Sequence, residues 1–265
     1  MKRMMKRIAL ALVLALAVSA LLPQGAALAA ATYELDSYVT YDTGRTTISW
    51  SRSGDAEEVT VYIQVINNGT SEQSLWRIGT TTGTKVTTTE MLPGRSYRVS
   101  LTDSDNYVLA EKDYDMPAPV TFQDGNLKST SVKVKIEKRS APYNTRNYSM
   151  EKSLSASKIQ SNMEAKTTWY GVKFLMQMPR LAKPRTFFVT LAFESPDGYL
   201  YVETAQEITF DKVNGGYQTI WWDLIGTYFF RDMLAKTGTV PAGKYTTILF
   251  WDGMLVNQST FDVGN

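Results

Sequence analysis

The chain has 265 residues, 28 basic and 26 acidic, and no histidine or cysteine. Its composition, 43% hydrophobic and 12% aromatic, is that of a packed globular protein and is too apolar for general disorder. The length leaves room for two ordinary domains. The missing residue types exclude Ser-His-Asp and Cys-His catalysis, the usual zinc ligand sets, histidine-ligated haem and thiol redox chemistry, so no cofactor and no metal is expected.

Residues 1–31 read as a secretory signal peptide. Lys2, Arg3, Lys6 and Arg7 precede an apolar run from Ile8 to Leu22, and Ala27-Leu28-Ala29 and Ala29-Ala30-Ala31 are small-residue cleavage sites. The run is shorter than the roughly 20 residues of a membrane helix, and no later stretch is long and apolar enough to serve, so no transmembrane segment is expected in the mature chain. Taking the leader's four positive charges from 28 leaves 24 basic residues against 26 acidic. A nucleic-acid binder needs a surplus of lysine and arginine to displace counterions, so nucleic acid is not expected as a partner. Export without cysteine leaves stability to core packing and leans toward a bacterial source.

From Thr32 to about Asp115, alternating β-branched and polar residues are cut by turn residues every eight to twelve positions. The expected strands are Glu34 to Tyr41, Arg45 to Ser51, Glu58 to Ile66, Ser74 to Gly79, Val86 to Met91, Ser96 to Thr102 and Tyr107 to Tyr114, the count of an immunoglobulin-like sandwich. Trp50 in Thr47-Ile48-Ser49-Trp50, Tyr62 in Val59-Thr60-Val61-Tyr62, and the run Leu92-Pro93-Gly94-Arg95-Ser96-Tyr97 together resemble the fibronectin type III family over residues 33 to 115. The resemblance implies a β-sandwich of residues 32–116 with Trp50 and Tyr62 in structural roles. It also implies a tyrosine corner, in which Pro93 and Gly94 turn the chain after Leu92 and the Tyr97 hydroxyl bonds back to nearby backbone. It implies a spacer or binding module and no particular chemistry.

Pro117 and Pro119 mark a short semi-rigid linker, residues 117–121. The second domain, residues 122–265, reads as another β-sandwich with one or two short helices, so the fold class expected is all-β with two immunoglobulin-like domains. Ser131 to Glu137 is a period-two strand, Arg139 to Asn147 a loop, and Ser153 to Glu164 a short helix. Strands follow at Trp169 to Met178, Thr186 to Phe193, Tyr199 to Phe210 and Tyr217 to Asp223. Apolar residues Ile225, Phe229 and Met233 predict an amphipathic helix from Leu224 to Lys236, ended by Gly238. Tyr245 to Trp251, the Asp252-Gly253 turn and Leu255 to Val263 close the chain as a hairpin. This close is similar to the last two strands of bacterial immunoglobulin-like accessory domains.

Two clusters carry candidate chemistry. Trp221, Trp222, Tyr228 and Trp251 are the binding candidates of an aromatic group that also holds Tyr217, Phe229 and Phe230; aromatic mass of this kind serves either the core or a surface platform. Glu194, Asp197, Glu203, Glu207 and Asp223 could supply a carboxylate pair of the kind glycosidases use, although a turn for Asp197 and a solvent-facing strand for Glu203 and Glu207 are the plainer reading. Asp103-Ser104-Asp105-Asn106 lacks the glycine and distant glutamate of a calcium loop and reads as an Asx turn. The expectation is a secreted or envelope-associated bacterial, non-catalytic binding or adhesion protein whose partner is an extracellular protein or a glycan. The alternative is a carbohydrate-active accessory protein or enzyme.

Overall fold

The computed structural model describes residues 31–66, 74–122, 133–140, 149–150, 154–166, 168–178, 183–210, 216–222 and 225–265. The leader and residues 141–147 of the loop expected over Arg139 to Asn147 lie outside them, while Arg139 and Ser140 end a strand instead. The fold is all-β and sandwich-like, with several antiparallel sheets and two helices among the described residues.

The first eight strands are β1 (Thr32–Leu35), β2 (Thr40–Asp42), β3 (Arg45–Ser53), β4 (Val59–Val65), β5 (Leu75–Thr81), β6 (Lys85–Thr88), β7 (Ser96–Thr102) and β8 (Val108–Asp115). They form two facing sheets, β1-β3-β2 with β6 on the other edge of β3, and β5-β4-β7-β8. The strand expected over Glu34 to Tyr41 is broken at residues 36–39, where the chain steps from one part of β3 to another. Alternation sends Ile48 and Trp50 inward from one sheet and Val61, Ile63, Tyr97, Val99 and Leu101 from the other, all buried. Tyr62, on the opposite face of β4, is half-buried. Asp103 is an Asx turn: its Oδ1 accepts the N–H groups of Asp105 and Tyr107, both at 2.9 Å.

The rest of the chain contributes β9 (Lys133–Ser140), β10 (Ser149–Met150), β11 (Leu154–Ser155), α1 (Ala156–Ala165), β12 (Thr168–Met178), β13 (Arg185–Glu194), β14 (Leu200–Phe210), β15 (Gly216–Trp222), α2 (Ile225–Thr237), β16 (Gly243–Trp251) and β17 (Met254–Gly264). A four-stranded sheet, β10-β9-β12-β15, accompanies a five-stranded one, β11-β17-β16-β13-β14. The helices fill the core between them, α1 through Ile159 and Met163, α2 through Phe229, Phe230 and Met233. α2 ends where expected: Gly238 takes φ +75° and its N–H reaches the Leu234 carbonyl at 2.9 Å, a left-handed stop that glycine adopts without a steric penalty.

The five-stranded sheet is buried on both faces. Phe187, Val189, Leu191 and Phe193 point into the second core with Tyr245, Leu249 and Trp251. The alternate positions Ala192, Leu200, Val202, Ile248 and Phe250 join the core of the first eight strands. Such two-sided burial explains why Phe187 to Phe193 reads as an almost continuous apolar run. The covering comes from turns at one end of the first sandwich. Arg95 forms a bidentate pair with Glu194, at 3.0 and 2.7 Å. Ser74 Oγ accepts the Leu200 N–H at 3.2 Å, and the Arg45 guanidinium lies 4.4 Å from the Phe188 ring centre. The turn at Gly44 meets the turn at Gly253, and the Tyr41 hydroxyl, whose pKa burial pushes up to about 12, donates to the Gly253 carbonyl at 3.3 Å. The Pro-containing segment is anchored as well: Leu255 N–H donates to Val120 O and Phe122 N–H to Leu255 O, both at 2.8 Å.

Candidate functional site

The residues of the tyrosine corner come together as a unit. Tyr97 is fully buried; its hydroxyl accepts the Leu92 N–H at 2.8 Å and donates to the Glu90 carbonyl at 3.3 Å, while burial raises its pKa strongly. Leu92 and Pro93 are buried beside it, and Gly94 at φ +75° turns the chain, its N–H donating to Pro117 O at 2.7 Å. Trp50 is buried in the same core. These residues are architectural, tying the turn before β7 to the segment that leaves the module.

The aromatic candidates separate. Trp251 is 0% exposed, stacked on Phe187 at 4.7 Å between ring centres, so it has no face to offer a ligand. Trp221 and Trp222 end β15, paired with Lys173 and Val172 of β12, and their side chains lie outside the described residues. Tyr228 is 44% exposed on the first turns of α2.

The acidic candidates separate too. Glu194 is consumed by Arg95, and Asp197 accepts the Ser195 hydroxyl in the turn between β13 and β14. Glu207 is exposed, on an open cleft of about 560 Å³ that Asp42, Arg45, Phe188 and Asp252 also line. Asp223 lies outside the described residues. Glu203 differs from the solvent-facing position expected for it. It is half-buried, accepts the Tyr201 hydroxyl at 2.9 Å, and desolvation holds its carboxyl above the usual carboxylate range.

Glu203 belongs to a ladder of polar and aromatic side chains between β14 and α2. Tyr199, Tyr201 and Glu203 alternate onto one face of the strand, and Tyr228, Asp232 and Lys236 recur every four residues along the helix. The Tyr199 hydroxyl donates to the Asp232 carboxylate, and Lys236 Nζ pairs with the same oxygen at 3.3 Å. Lys236 also lies 5.9 Å from the ring centres of Trp76 and Tyr199, so the first module contributes a wall. Burial, and then the negative charge beside them, raises the Tyr199 and Tyr201 hydroxyls far above their ordinary pKa. Asp232, Lys236, Tyr199 and Tyr201 are absent from the candidates drawn from sequence, although the four-residue spacing on α2 was a readable signal. Chemically the edge offers two carboxylates, hydroxyl groups and a partly open aromatic ring. Among the described residues no three acidic side chains converge as a metal site would need, and no helix is long and apolar enough to cross a membrane.

No family model matches the chain, and no curated protein matches it. Among solved structures it is similar to the Pseudomonas fluorescens alkylpurine DNA glycosylase AlkC bound to DNA containing an abasic site analog, with 12% identity over 36% of this chain and 25% of that one, at a TM-score of 0.26. It is also similar to the chicken CNTN1 FN1-FN3 domains, with 11% identity over 86% of this chain and 66% of that one, at a TM-score of 0.23. The chain thus spans a quarter of the first and under two thirds of the second. At these TM-scores neither likeness bears on function.

Proposed function

We propose that this chain is an exported, non-catalytic binding or adhesion protein, secreted or held at a bacterial cell envelope, with a fibronectin type III module at its N-terminal end. The tyrosine corner of Tyr97 and the buried Trp50 support the module assignment. One observation carries the binding reading: Tyr228 is 44% exposed on α2, one helical turn before Asp232, and the Lys236 that pairs with Asp232 faces Trp76 of the first module. A site on strand and helix is held more firmly than one on loops, and aromatic residues dominate binding surfaces. The purified protein should be retained by intact cells or isolated envelope, and Tyr228→Ala should reduce that retention at unchanged folding. Equal retention of the variant, or none by either protein across envelope, glycan and extracellular-protein panels, overturns the reading.

A carbohydrate-active role is the second reading, favoured by the half-buried Glu203, whose carboxyl desolvation holds above its ordinary range. Turnover of a polysaccharide that Glu203→Gln abolishes would establish it; an inert protein across a broad panel removes it.

A further inference from the structure

Where the turn at Gly44 meets the turn at Gly253, the two modules leave an open cleft of about 560 Å³ between them, within the roughly 300–1,000 Å³ range of ligand sites. Strand register sets its floor. Glu207 stands directly opposite Phe188, so both side chains lie on the face of the sheet that the first module covers, whereas Glu203, opposite Leu191, lies on the other face. Arg45, at the start of β3, lays its guanidinium across the Phe188 ring at 4.4 Å from the ring centre. Three carboxylates, Asp42, Glu207 and Asp252, share the cleft with that guanidinium, yet among the described residues none lies within pairing distance of it. Arg45 and Glu207 are exposed, and neither side chain hydrogen-bonds to a described residue. Asp252 is fixed in place: its Oδ1 accepts the Phe188 N–H and its own N–H donates to the Phe188 carbonyl, both at 2.8 Å. Thr43 donates its hydroxyl to Asp42 Oδ1 at 2.9 Å from a backbone at φ +52°, which a β-branched residue rarely adopts. Strain of this kind clusters at binding sites.

The lining selects a ligand class. The aromatic rings of the floor are sealed, Phe187 being 1% and Phe188 9% exposed, so the cleft has no apolar socket for the side-chain anchor of a protein partner. Three carboxylates against one guanidinium disfavour an anion, the guanidinium over the floor disfavours a cation, and the acids do not converge as a metal site needs. A neutral ligand whose groups both donate and accept fits this mixture. Sugar hydroxyls do both, donating to the carboxylates and accepting from the guanidinium. The geometry points to this cleft as a binding site for a neutral oligosaccharide, held between Asp42 and Arg45 of the first module and Glu207 and Asp252 of the second. The inference rests on the reading of the chain as a binding protein and gives that reading a glycan as its ligand.

The test is an NMR titration of the purified protein with four neutral hexasaccharides (cellohexaose, maltohexaose, mannohexaose and chitohexaose), with hexagalacturonic acid and with hexalysine. Expected are saturable shifts at the backbone amides of Thr43, Arg45 and Glu207 with at least one neutral hexasaccharide. Arg45→Lys, which keeps the charge but loses the planar fork, and Glu207→Ala should each lower that affinity about tenfold or more, because hydrogen bonds to charged groups are the strong ones. Both positions are exposed, which spares the fold, and Glu164→Gln, exposed on α1, should bind as the parent does. A blank with all four neutral probes, shifts confined to other residues, tighter binding of hexagalacturonic acid or hexalysine, or a smaller loss in either cleft variant overturns the site. Envelope retention that depends on Tyr228, with every oligosaccharide blank, refutes this inference and leaves the adhesion reading intact. An oligosaccharide response at the cleft, with Tyr228→Ala retained as well as the parent, does the reverse.

Discussion

Replacing Arg95 or Glu194 by alanine should destabilise both modules together, because the pair they form joins turns of the first sandwich to β13 of the second module. Each side chain is about one-fifth exposed, 21% and 20%, so the pair sits between two regimes. Fully exposed pairs are worth about 0.2–1 kcal/mol, and breaking a fully buried one costs about 3–5 kcal/mol. The bidentate geometry, at 3.0 and 2.7 Å, is favourable, while the residual solvent screens it. A coupling energy of about 1–2 kcal/mol is therefore expected from a double-mutant cycle of Arg95→Ala, Glu194→Ala and the double variant, measured by urea unfolding. Both sheets report, since Trp50 and Trp251 lie in different cores. Coupling below about 0.3 kcal/mol, or two separate transitions by fluorescence in the parent protein, would refute docking through this pair.

Three further outcomes follow. Tyr97→Phe removes the acceptor of the Leu92 N–H from a fully buried site and should cost about 1–3 kcal/mol in chemical denaturation; a neutral result would deny the tyrosine corner its structural role. Gly253→Ala should cost more than about 2 kcal/mol, since φ is +77° and the new Cβ would meet Gly44 N at 2.7 Å; an unchanged melting temperature would contradict the turn-to-turn contact. Glu203→Gln has a pH signature. A carboxyl raised in the folded state favours folding below its unfolded pKa and loses that contribution as pH rises through the folded value, so the amide should raise the melting temperature at pH 7 relative to the parent and lose that advantage near pH 4. An advantage that grows toward acid would reverse the sign and the burial argument with it.

Much of the fold is legible in the sequence because strand periodicity and turn chemistry agree. Ser96 to Thr102 coincides with β7, and Asp252-Gly253 forms the expected turn with both residues at positive φ, 47° and 77°. What periodicity cannot say is what covers a strand. Phe187 to Phe193 has no polar face, and only the tertiary arrangement reveals that one face packs on α2 and the other on turns from residues a hundred positions earlier. The same limit applies to the prolines after Met116: they stop a strand, but Leu255, which donates to Val120 O and accepts the Phe122 N–H, is a partner remote in sequence. For the candidate site, aromatic density in sequence pointed to Trp251, yet an aromatic on a two-sided sheet is equally suited to the core, where it is found. The stripe Tyr228-Asp232-Lys236 was visible as helix spacing, whereas its facing row on β14 becomes visible only once the sandwich edge is assembled.

The edge between β14 and α2 stands on a firm frame only when the two modules are docked as one body. The most direct measurement is the distance distribution between spin labels at Ser104→Cys and Lys158→Cys, both exposed and on opposite modules, in a chain that has no other cysteine. A single narrow population that Arg95→Ala/Glu194→Ala broadens is the predicted result. A broad distribution in the parent, of the width expected for modules joined by a free linker, would contradict it.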